Sequence, residues 1–255
     1  PNLAALASTA VTFTRAYAHD PRSIKALEAL VLGVFPSPTW RAATWDTPDV
    51  ALDSVPARWR RAGLATAFLE DADLAFDNHG ALLRDRGFDL VGGKELVRPL
   101  SNGRGDFGLV TAFERFLDAN AGRPVGTLLW PVKSHTPYVV PGGVGEPGSF
   151  AAYVEAVKHV DAVVGAIVAA LEARGRRDST WVVIVGDHGE SFGEHPESGL
   201  AHGRWLFEES VRVPLMVVHP SLSPGHRDDT VVQLKDVAAT SAWLADRGSP
   251  GLNVG

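Results

Sequence analysis

The sequence contains no cysteine. This excludes a disulfide framework, thiolate metal sites and a cysteine nucleophile together, and it leaves the cellular compartment undecided. Long cationic runs are also missing. The formal net charge is -6, and the densest basic cluster, Arg174–Arg177, follows a helical pattern and reads as a solvated helix end. Nothing therefore favours nucleic acid as a partner. No apolar stretch reaches the roughly 20 residues that a bilayer requires, and no signal peptide is visible. The chain opens on Pro1 instead of Met, so any leader or membrane anchor is expected outside it.

What is present is an ordinary globular composition over 255 residues, enough to bury a core without cross-links. Ile24, Leu27, Leu30 and Val31 recur at helical spacing between Ser23 and Leu32. Gly33 follows where a C-cap glycine belongs, and Pro36 and Pro38 prevent the helix from resuming. Residues Ala65–Leu69, Gly126–Trp130, Trp181–Val185 and Pro214–Val218 are short apolar runs of the kind found in buried parallel strands. A long amphipathic helix is predicted between the second and third, with Tyr153, Val157, Val160, Val164, Ile167 and Leu171 on its apolar face. Another helical pattern runs from about Val231 to Leu244. Alternating strands and helices predict an α/β fold, a mostly parallel central sheet sandwiched by helices. Residues Ser101–Gly108 and Pro141–Gly148 form glycine-rich loops, and with no repeat or linker the simplest organisation is one domain over residues 1–255.

The strongest chemical signal is WVVIVGDHGESFGEH, Trp181 to His195. A hydrophobic strand runs directly into Asp187-His188-Gly189-Glu190, and ligands in open α/β sheets bind beyond the carboxyl ends of strands. Adjacent carboxylate and imidazole donors suit a divalent ion, and Gly189 would let the backbone turn away without crowding it. The plain alternative makes Asp187 a turn cap and His188 a loop histidine. Two weaker signals are Gly199-Leu200-Ala201-His202-Gly203 and Lys133-Ser134-His135-Thr136-Pro137-Tyr138, each with a histidine in a loop.

In this order the segments resemble the alkaline phosphatase/sulfatase superfamily, and within it the sulfatase-like branch. That branch includes arylsulfatases, phosphonate monoester hydrolases, lipoteichoic acid synthases and phosphoethanolamine transferases. PNLAALASTAVTFTRAYA looks like the family's first helix and strand, HTPY like its substrate-histidine loop, and DHGESFGEH with the later AHG like its metal and second-histidine segment. VRVPLMVVHP looks like the strand that follows. LKDVAAT resembles the "DxxPT" helix, with Ala239 where proline is usual. The family's nucleophile lies ten residues before a glycine; here ALVLGVFP supplies Gly33, and ten residues back is Ser23. Ser is equally a preferred N-cap, so the position admits a structural reading too.

The resemblance implies an alkaline phosphatase/sulfatase-like fold and a divalent metal (Zn, Mn, Mg or Ca) held by Asp187, His188 and Ser23. It also implies a further Asp or Glu ligand on a first strand upstream of residue 1. Ser23, His135 and His202 would be catalytic, with His135, His202, Arg22 and Lys25 binding the substrate. The formylglycine signal "C/S-x-P/A-x-R" is absent, since Lys25 and Leu27 stand where Pro or Ala and Arg would be. The expectation is therefore a hydrolase or transferase acting on a small-molecule or lipid-linked phosphate ester through a covalent phosphoserine. A sulfuric-ester hydrolase with an atypical nucleophile, or an inactive module retaining the fold, are the alternatives. A periplasmic or extracytoplasmic address is what the resemblance favours.

Overall fold

A computed structural model describes residues 1–39, 41, 45, 50–197 and 202–248. In chain order its main elements are α1 (Asn2–Ala7), β1 (Val11–Tyr17), α2 (Ser23–Leu32), α3 (Val55–Arg61), β2 (Ala65–Glu70), β3 (Leu90–Gly92), α4 (Phe107–Ala119), β4 (Val125–Trp130), α5 (Phe150–Ala173), β5 (Val182–Val185), β6 (Arg212–Val218), β7 (His226–Gln233) and α6 (Leu234–Gly248). They fall into two compact units.

The first unit takes residues 1–8, 65–74 and 89–180. Its sheet has the order β3-β2-β4, parallel throughout. β2 is buried along its whole length, as a central strand covered on both faces must be. Ala65, Ala67 and Phe116 form a core cluster joined by Leu90 and Val125. Thr66 and Asp89 lock the β2–β3 edge reciprocally: the Thr66 N–H donates to the Asp89 carboxylate at 3.0 Å, and the Asp89 N–H to the Thr66 hydroxyl at 2.9 Å. α5 appears where helical spacing predicted it, but its buried face is different. Of the expected apolar residues Leu171 is buried, whereas Val157 is exposed; Ala152, Ala156, Val163, Val168 and Ala170 are the other buried apolar positions, the alanines being small enough to let neighbouring elements approach. Asp161 on α5 is buried and accepts the backbone N–H groups of Asn2 and Leu3 at 3.1 and 2.8 Å, satisfying donors at the start of α1.

The second unit takes residues 9–64, 75–88 and 181–255. Its sheet, in the order β5-β6-β1-β7, is mixed. β6 runs antiparallel to both β5 and β1, whereas β7 is parallel to β1. The apolar runs at 181–185 and 214–218 are thus strands, as expected, but are paired antiparallel. β7, HRDDTVVQ, is a polar strand carrying no hydrophobic alternation, which is why the helical pattern from Val231 overran it. The helix begins at Leu234, where the Asp236 carboxylate reaches back to the Gln233 N–H at 2.8 Å. α6 packs on α3 through Val55, Ala238 and Ala242, with Trp59 donating its indole N–H to Ser241 at 3.1 Å. α2 ends as predicted: Gly33 takes the left-handed conformation and donates to the Ala29 carbonyl.

In the first unit Asp106, fully buried before α4, carries a raised pKa. Burial pushes its carboxyl from the ordinary 3.8 up to about 6, helped by nearby Asp71 and opposed by two backbone hydrogen bonds and by Lys133. A carboxyl whose folded pKa lies above its unfolded value contributes stability below the unfolded pKa, and that contribution is lost as pH rises through the folded pKa. Unfolding measured between pH 4 and 7 should therefore show the wild type losing more stability with rising pH than Asp106→Asn does. Equal slopes would contradict the raised pKa.

Candidate active site

The second unit builds the site at the exit of β5. Gly186 donates its N–H to the Pro214 carbonyl at 3.0 Å, closing the β5–β6 ladder. Three residues on, Gly189 donates to the Ser210 carbonyl at 2.8 Å. The segment between is held at both ends, and Asp187 and His188 project from it. Gly189 is required by close approach of the backbone: a Cβ there would sit 1.9 Å from the Glu209 carbonyl oxygen. This differs from the expected role of keeping the backbone clear of a metal.

Ser23 meets this segment. It is the first residue of α2; Arg22 is the N-cap residue, and its side chain makes no cap bond to the helix. The N-cap reading of Ser23 is thereby corrected. Its hydroxyl donates instead to Asp187 Oδ2 at 2.7 Å and lies 3.1 Å from His188 Nε2. His188 Nδ1 is 2.7 Å from the Gly189 carbonyl oxygen, which can only accept, so Nδ1 carries the proton. In the neutral ring Nε2 is then an acceptor, and it faces Asp187 Oδ2 at 3.3 Å. Two acceptors face each other with one hydroxyl hydrogen to share. That concentration of lone pairs fits one side of a divalent ion's shell, with an oxygen, a nitrogen and a hydroxyl oxygen as donors. Among the described residues no group of three or more His, Asp or Glu gathers to complete such a shell.

His202 joins the same site. Its Nδ1 lies 3.0 and 3.1 Å from the Glu190 carboxylate oxygens, and its ring lies 4.2 Å, centroid to centroid, from that of His188. Burial lowers the His202 pKa, but the hydrogen bond to Glu190 and the charges of Glu190, Asp187 and Asp77 outweigh it, leaving the pKa above the ordinary imidazole value. Glu190 was not among the predicted site residues; its position directly after Asp187-His188-Gly189 was the available signal. Residues 199–201 of the glycine-flanked His202 segment lie outside the described residues.

Arg22 donates from Nε and Nη2 to the two carboxylate oxygens of Asp20, each at 2.6 Å. Its stem lies 3.4 Å from where a Gly203 Cβ would stand, so it braces the backbone beside His202. Lys25 requires a correction. It is fully buried, its ammonium donating to the Arg41 carbonyl at 2.6 Å and lying 3.5 Å from the Glu28 carboxylate, one helical turn along. Those internal partners withdraw it from substrate binding; its position on α2 points into the core because the helix is buried on nearly all sides.

His135 belongs to the first unit, in the loop after β4. Its N–H donates to the Val132 carbonyl at 3.0 Å, and its carbonyl accepts from the Tyr138 N–H at 2.9 Å. Nδ1 donates to the Thr136 carbonyl at 2.8 Å, which directs the acceptor lone pair of a neutral ring to Nε2.

The sulfatase family model matches residues 1–246. The chain belongs to the sulfatase family. Arylsulfatase K of Xenopus laevis is 34% identical over 93 residues, covering 36% of this chain and 17% of that protein. The fold is that of the alkaline phosphatase superfamily. Lipoteichoic acid synthase LtaP of Listeria monocytogenes superposes with a TM-score of 0.78 at 20% identity, over 94% of this chain and 64% of that one. The phosphonate monoester hydrolase of Agrobacterium radiobacter gives 0.70 at 19%, over 97% and 68%. The chain thus spans less than two thirds of the length of the first two.

The tight approach at Gly189 makes a direct prediction. Gly189→Ala must push apart the Asp187–His188 segment and residues 209–210, costing about 1–3 kcal/mol, read as a lowered denaturation midpoint. A wild-type midpoint would show that this backbone can yield without cost.

Proposed function

We propose that this sulfatase-family chain is the catalytic core of a metal-dependent hydrolase or transferase that acts on phosphate esters through Ser23. The observation that carries the reading is the Ser23 hydroxyl, 2.7 Å from Asp187 and 3.1 Å from His188 at the first turn of α2. A hydroxyl needed only to cap the helix would bond the helix's own N–H groups. Asp187, His188 and Ser23 would hold the divalent ion. When bound, such an ion lowers the pKa of a coordinated hydroxyl and offsets charge on phosphoryl oxygens.

Ser23 Oγ forms the new bond to phosphorus as the bond to the ester's leaving oxygen breaks. The hydroxyl proton departs along the hydrogen bond to Asp187. His202, kept proton-rich by Glu190, supplies a proton to the leaving oxygen. Arg22 steadies the backbone around Ser23 and His202, and His135 is a substrate-binding imidazole of the first unit. Water or an acceptor alcohol then takes the phosphoryl group from Ser23, restoring the hydroxyl. A second reading, sulfate-ester hydrolysis, is favoured by the arylsulfatase among the relatives. Against it stand Lys25 and Leu27 at the positions of the formylglycine signal.

Intact mass should show Ser23 unmodified, and an aryl phosphate mono- or diester should be turned over faster than the matching aryl sulfate. Ser23→Ala should lower turnover by about 10³-fold or more. Formylglycine at position 23, or a preference for the sulfate, would reverse the choice between the two esters. Full activity in Ser23→Ala would remove Ser23 as nucleophile.

A further inference from the structure

The first unit contains a buried carboxylate that the chemistry above does not use. Asp106 sits at 0% exposure just before α4. Among the described residues it bonds no side chain of opposite charge. One carboxylate oxygen accepts the Val132 N–H at 3.1 Å and the other the Lys133 N–H at 3.0 Å. These are consecutive amides, the first N–H groups after β4 because Pro131 has none, and the Val132 carbonyl in turn accepts the His135 N–H at 3.0 Å. The neighbouring residue, Gly105, adds a second contact to the same place. A Cβ on it would lie 3.1 Å from Lys133 Cε and 3.2 Å from His159 Nε2, so Lys133 packs where a side chain would otherwise be. The 105–106 corner therefore grips Val132 and Lys133, near the start of the His135 loop, by backbone and by side chain.

Burying a carboxylate is costly unless its lone pairs are used, and here they are used on the backbone of one loop. The raised pKa of Asp106 is the measure of that cost. A residue needed only to begin α4 would turn its carboxylate toward that helix's own first N–H groups, yet Asp106 makes no side-chain cap bond to it. We propose that Asp106 is a positioning residue for His135: its carboxylate fixes the start of the loop that carries this imidazole. The proposal rests on the reading of His135 as substrate-binding, and a loop held at Val132 and Lys133 presents Nε2 at a constant place. Small displacements of a positioned group are costly in rate, up to about 10²-fold for 1 Å.

The test is a double-mutant cycle on the whole chain with an aryl phosphate ester, using Asp106→Asn and His135→Ala, alongside amide hydrogen exchange at residues 132, 133 and 135. Asp106→Asn keeps the shape but offers one strong acceptor in place of two. We expect it to lower kcat about tenfold or more, to quicken exchange at those amides, and to cause no further loss once His135 is Ala. Losses that multiply in the double variant would overturn the proposal, since Asp106 would then act apart from His135. If His135→Ala leaves turnover unchanged, the substrate-binding reading fails by itself, and exchange decides the rest: faster exchange in Asp106→Asn upholds the grip on the loop, and unchanged exchange overturns it. Should Asp106→Asn not fold, Asp106→Ser, with one acceptor in less volume, carries the same comparisons.

Discussion

Everything proposed for Ser23 depends on two backbone hydrogen bonds three residues apart. Gly186 to Pro214 and Gly189 to Ser210 hold the chain on either side of Asp187 and His188. A segment fixed at both ends loses its conformational freedom on folding of the sheet and not on binding of a ligand, so the two side chains are already arranged when a substrate or ion arrives. The bare Cα of Gly189 lets residues 209–210 come close enough to make the second bond. α2 then delivers Ser23 to the pair from another part of the second unit.

The electrostatics follow from that placement. An aspartate oxygen and an imidazole nitrogen 3.3 Å apart, sharing one hydroxyl hydrogen, form an arrangement that gains from a cation. Glu190 and His202 add a carboxylate and an imidazole beside it, and mutual hydrogen bonding offsets the desolvation of the imidazole. The same logic holds in the first unit, where Asp106 is buried at the expense of a raised pKa and returns a fixed loop. In both places a buried polar group is spent on geometry more than on net stability.

Much of this was legible in the residues, for definable reasons. The β5 run, the end of α2 at Gly33 and the exit at Asp187-His188 are local features, fixed by apolar runs, a left-handed glycine and adjacent donors. The failures are equally specific. β7 is polar, and the sequence beyond Val231 keeps a helical rhythm, so pairing with β1 overrode local pattern. On α5 the buried positions include three alanines and an aspartate, which hydrophobic spacing weights too little. Lys25 read as a substrate-binding cation because its charge was visible and its burial beside Glu28 was not.

The sequence by itself determined the class of fold, the family and the types of donor available: one carboxylate-imidazole pair after a strand, two loop histidines and a serine ten residues before a glycine. Those are properties of order and spacing along the chain. Only the tertiary structure decided that Ser23 bonds Asp187 and does not cap its helix, that Glu190 pairs with His202, that Lys25 is interior, and that Asp106 holds the start of the His135 loop. The Ser23, Glu190 and Asp106 contacts join residues 12 to 164 positions apart, and the burial of Lys25 depends on what covers α2; whether such groups meet or are buried depends on how elements pack, which no local pattern encodes.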